Sequence, residues 1–140
     1  VYRKLLQSLF CFVLVLVVSA PSLSAAGKTV KVKVTLVSAQ MVSNNHVGNE
    51  WWYGGYVNGQ ELDEGGSIVL NVSASGTVSL KAEAQEQDKY PDDGEAAASV
   101  KVASIGKGAT KALNVTIVEN RGRYSGNTAK WKFVFKVQKV

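Results

Sequence analysis

The densest chemistry in the chain lies in Gln85 to Glu95, where Glu86, Asp88, Asp92, Asp93 and Glu95 crowd around Lys89, Tyr90 and Pro91. Calcium and similar hard cations take about six to eight oxygen ligands, mostly carboxylates and carbonyls from flexible loops. Asp88, Asp92, Asp93 and Glu95 are therefore candidate metal ligands, with Glu86, Asp63, Glu64 or Asn49 as candidates to complete the shell. The same stretch also reads as a solvated turn, because its proline and glycine suit turn positions. Calcium is the one cofactor the residues suggest.

A second group is Trp51, Trp52, Tyr53 and Tyr56. Adjacent residues of a strand face opposite sides, so Trp51 and Trp52 cannot both enter one core. An exposed ring offers an apolar face to a sugar or a partner protein; alternatively it covers a sheet edge. A third group, Arg121, Arg123 and Tyr124, stands between glycines. These arginines either pair with the acidic stretch or hold an anionic group as bidentate donors.

Catalysis finds little support. His46 is the only histidine, Cys11 the only cysteine, and no serine has a nucleophile-elbow context. A small hydrolase would have to use two loop carboxylates as acid and base. The leading expectation is a non-enzymatic binding module, with a calcium-binding module and such a hydrolase as alternatives.

The elements that must position these groups are strands. Val30, Val32, Val34 and Leu36 alternate with Lys31, Lys33 and Thr35 over Thr29 to Val37. The same period of two runs through Ser67 to Ser73, Thr77 to Gln85, Ala96 to Ser104, Ala112 to Glu119 and Ala129 to Gln138. Glu50 to Val57 adds a strand whose paired glycines predict a bulge or a close approach of another backbone. Asn58-Gly59 is the favoured two-residue hairpin turn, returning the chain through the short strand Gln60 to Leu62. No segment after residue 26 keeps helical spacing over three turns. An all-β, antiparallel sandwich of seven or eight strands follows.

Residues 1–26 read as a secretory signal peptide: Arg3 and Lys4, an apolar run from Leu9 to Val18, then small residues up to Ala26. Residues 27–140 are then one domain, secreted, periplasmic or at the cell surface, with no membrane span once the signal is removed. Cys11 leaves with the signal, so the domain is expected to hold by its core and not by disulfides. The net charge falls from +5 to +3, since 14 basic residues then face 11 acidic ones. That mild excess does not point to nucleic acid.

In size and strand count the chain resembles immunoglobulin-like or C2-like sandwiches over residues 27–140. The resemblance to C2-like sandwiches implies calcium at one end. If successive strands cross the whole domain, loops 43–49, 63–66, 88–95 and 119–128 share an end. That end, on a rigid sandwich, is the expected contact surface for a protein or carbohydrate ligand.

Overall fold

The computed structural model describes residues 27–140; the expected signal peptide, residues 1–26 with Cys11, lies outside the described residues. Eight strands form: β1 (Thr29–Asn44), β2 (Trp51–Val57), β3 (Gln60–Leu62), β4 (Ser67–Ser73), β5 (Thr77–Glu86), β6 (Asp92–Lys101), β7 (Ala109–Val118) and β8 (Thr128–Lys139). They make two four-stranded antiparallel sheets, a first of order β4-β1-β8-β7 and a second of order β3-β2-β5-β6. The chain is thus the antiparallel β-sandwich that its alternation predicts. β1 beside β4, and β2-β5-β6 opposite, follow the B–E and C–F–G pairings of immunoglobulin sandwiches. The last hairpin, β7-β8, adds to the free side of β1.

Alternation builds the core. Val32, Val34 and Leu36 of β1, Val78, Leu80, Ala82 and Ala84 of β5, and Trp131, Phe133, Phe135 and Val137 of β8 are buried between the sheets. The described residues bury 21 apolar side chains in one cluster, a single core between the two sheets.

Three local expectations change. β1 runs seven residues beyond Val37, to Asn44, because irregularities between Leu36 and Ser38 and between Met41 and Ser43 shift its register against β8. Each extra residue breaks the period of two that made the first half legible. The acidic loop also contracts: β5 continues to Glu86 and β6 starts at Asp92, leaving residues 87–91 as the turn. The third change concerns loop 63–66, which lies along the flank and not at the end. β3 stops opposite Gly55 and β4 starts opposite Thr35, both partway along their partners. Gly65 N donates to Leu36 O at 2.7 Å, and Ala39 N to Glu64 Oε1 at 3.2 Å.

The paired glycines make no bulge, since β2 keeps one register with β5. A Cβ on Gly55 would stand 2.9 Å from Leu36 Cδ2 and 3.1 Å from Phe135 Cζ. Core side chains, not another backbone, demand glycine there. Asn58 and Gly59 both take positive φ, 46° and 79°, as the hairpin requires.

Candidate functional site

Loops 45–50, 87–91 and 119–127 do share one end. Asn45 N donates to Thr128 O at 3.0 Å and Gln87 N to Glu50 O at 2.6 Å, and Asn120 Nδ2 donates to Asp92 Oδ1 at 2.7 Å. Most candidate residues at this end are used to hold the loops together. Tyr124 stacks on His46 with ring centroids 4.6 Å apart and planes at 14°. The Arg121 guanidinium lies 4.1 Å over the Tyr90 ring, and that of Arg123 lies 5.6 Å from the Tyr124 ring. Contacts of this kind contribute about 0.5–1 kcal/mol each at exposed sites.

The four candidate metal ligands are divided by the strand they belong to. Asp92 points into the sandwich and is 3 % exposed, while Asp93 and Glu95 stand exposed on the outer face of β6. Asp88 stays in the turn, its Oδ1 accepting from Tyr90 N at 2.6 Å. Alternation forbids consecutive residues from sharing a face. Among the described residues no three histidine, cysteine or carboxylate side chains are grouped to hold a metal ion.

The sequence reading missed a buried acidic pair. Glu86 and Asp92 are directly opposed in the β5–β6 ladder and are 2 % and 3 % exposed. Glu86 Oε2 accepts from Asp88 N at 3.1 Å, and its side chain occupies the space that a Cβ on Gly48 would need. Burial pushes the Glu86 carboxyl above its ordinary value, and the Asp88 charge pushes it further. Asp92 Oδ2 and Trp131 Nε1 are buried without a hydrogen-bond partner. A signal was present: carrying the inward positions Leu80, Ala82, Ala84 forward by two lands on Glu86, and carrying Val100, Ala98, Ala96 back lands on Gly94 and then Asp92.

The four candidate aromatics of β2 have different roles. Trp51 is half-buried; its Nε1 donates to Gly48 O at 3.3 Å, and its ring lies 5.7 Å from that of Trp131. Tyr53 packs on Trp131 at 4.4 Å and meets Phe133 edge-on. Tyr56 is on the outer face, with Lys81 Nζ 5.0 Å from its ring centroid. Burial, with the charges of Glu83 and Glu61 beside it, raises the Tyr56 phenol above its ordinary value.

Tyr53 keeps 40 % of its surface exposed despite these contacts, and Trp52 is the open ring on the outer face. It is 37 % exposed on the outer face of the second sheet, in register with Gln85 on β5, which in turn faces Asp93 on β6. Gly54, the next outward position, keeps the floor low between the rings: a Cβ there would stand 3.3 Å from Trp52 and 3.2 Å from the Tyr56 hydroxyl. Trp52, Glu83, Gln85, Asp93, Gly94 and Glu95 line a recess of about 160 Å³. Glu83 is bonded to Lys81 Nζ at 2.5 Å. The recess therefore joins one apolar ring face to side chains that accept hydrogen bonds. Carboxylates only accept, so a matching ligand must bring donors.

No protein-family model matches the chain, and no curated protein sequence matches it either.

Proposed function

We propose that the protein is an exported, non-enzymatic binding module that takes a saccharide in the recess beside Trp52, on the outer face of the second sheet. A sugar ring offers an apolar C–H face to the indole and hydroxyl donors to the carboxylates around it. The observation that carries this reading is the pairing of an exposed Trp52 with Gln85, Asp93 and Glu95 around one recess. It moves the expected contact surface from the loop end, where Tyr124, His46, Arg121 and Tyr90 contact one another, to the sheet face. Export rests on the reading of residues 1–26 as a signal peptide.

The test is tryptophan fluorescence of residues 27–140 titrated with a panel of neutral and amino-sugar oligosaccharides. A saturable change is expected for at least one of them, lost in Trp52→Ala and in Asp93→Ala, and kept in Tyr124→Ala. A panel without any saturable response, or a response that survives Trp52→Ala, rejects the proposal.

A further inference from the structure

The outer faces of the two sheets differ in charge. β1, β4, β7 and β8 contain seven lysines, two on β1, one on β7 and four on β8, and no carboxylate. The outer face of the second sheet carries four carboxylates, Glu61 of β3, Glu83 of β5 and Asp93 and Glu95 of β6, against two lysines, while Glu86 and Asp92 point inward. Because Val32, Val34, Trp131, Phe133 and Phe135 point inward, alternation places Lys31, Lys33, Lys130, Lys132 and Lys136 on the outside.

β1 and β8 are hydrogen-bonded neighbours, so these five lysines form one field. Every cross-strand neighbour of the three β8 lysines is neutral: Lys130 lies between Ser43 and Thr116, Lys132 between Gln40 and Asn114, and Lys136 between Thr35 and Thr110. Among the described residues the one ion pair joins Lys81 to Glu83, on the opposite sheet. The field is broad and carries no aromatic ring on which a nucleic-acid base would stack. It also includes exposed aliphatic side chains, Val37 and Val69 at 48 % and 54 % exposure.

We propose that this face docks on an anionic lipid bilayer, its ammonium groups against the headgroup phosphates and its valines at the interface. The charge complementarity is that of a surface with another surface: lysines spread over neighbouring strands engage a plane of charges, whereas a linear polyanion can follow only one row of them. Each lysine brought to such a plane strengthens binding about fivefold. The proposal is independent of the Trp52 recess, which lies on the opposite side of the sandwich.

The experiment is co-sedimentation of residues 27–140 with phosphatidylcholine vesicles, with and without phosphatidylglycerol, at low and high salt. Binding is expected only with phosphatidylglycerol, and it weakens as salt screens the charges. The triple variant Lys130→Gln, Lys132→Gln, Lys136→Gln lowers it roughly a hundredfold. The triple variant Lys89→Gln, Lys101→Gln, Lys107→Gln, with the same net charge, keeps most of it. Should the first variant melt early, Lys132→Glu alone carries the same comparison with Lys101→Glu. No binding to anionic vesicles at low salt, or equal loss in both triple variants, overturns the proposal. So does binding to a soluble sulfated polysaccharide without binding to vesicles, which reassigns the face to a linear polyanion.

Discussion

Glu86 and Asp92 face one another across the β5–β6 ladder, both buried at the loop end of the sandwich. The buried Glu86 carboxyl makes the core sensitive to protons. Folding raises the Glu86 carboxyl above its ordinary value, chiefly by burial. The folded protein therefore holds the Glu86 proton more tightly than the unfolded chain does, and this contribution is fully present below the unfolded value. It is lost as pH rises through the folded one.

Glu86→Gln removes that titration while leaving an oxygen to accept from Asp88 N. The variant is expected to melt higher than the parent at neutral pH, with the advantage shrinking to nothing near pH 4. Melting midpoints of both proteins across that range check the sign. A variant less stable than the parent at neutral pH would show that the charged form is favoured.

The two open questions about tryptophan separate on stability. Trp131 is 5 % exposed and touches Trp51, Tyr53 and Phe133, so Trp131→Ala is expected to cost about 3–5 kcal/mol. Trp52→Ala on the open face should cost less than about 1 kcal/mol. Urea unfolding of each variant measures both.

At Gly94, beside the recess, the backbone of β7 lies close against β6. A Cβ there would run into Thr116 O and stand 3.1 Å from Val115 Cγ1. A backbone oxygen cannot rotate aside as a side chain can, so Gly94→Ala is expected to destabilise by about 1–3 kcal/mol. Gly54→Ala, whose nearest neighbours are flexible side-chain ends, should be milder and should chiefly disturb the recess. Thermal melts compare the two.

At the far end, Asn58 accepts from Ser79 N at 2.8 Å through its side chain and holds φ at 46°. Asn58→Ala loses that bond and strains the turn, a cost of about 1 kcal/mol. A shift of several degrees in the melting midpoint is expected, while Asn58→Gly, which keeps the backbone free, should recover part of it.

The fold was legible because strands half-exposed to water must alternate, and those of this chain do so cleanly from Ser67 to Ser73 and from Ala129 to Gln138. It was illegible where the alternation was shifted, as in β1 beyond Val37, where one extra residue sends the following side chains to the opposite face. The expectation of one open tryptophan came from the same geometry and needed no coordinates. Which one it was did not: Trp51 and Trp52 are chemically identical, and only the position of Trp131 on a strand about eighty residues away selects Trp51 for the interior. The acidic stretch was harder to read because carboxylates close in sequence are separated by the strand that carries three of them, Asp92 inward and Asp93 and Glu95 outward. Asp63 and Glu64 were misplaced because three residues of β3 cannot cross the domain.

The lysines of the first sheet and the carboxylates of the second lie on either side of a core about 10 Å thick. Their separation runs along the normal to the sheets, which makes the sandwich a permanent electric dipole. A torque acts on such a body at distances where no side chain is yet in contact, so near any charged object the molecule turns first and touches afterwards. Salt shortens the range of that torque, and the rate of productive encounters should fall with ionic strength even for a neutral ligand at the recess whenever the ligand is itself fixed to a charged surface.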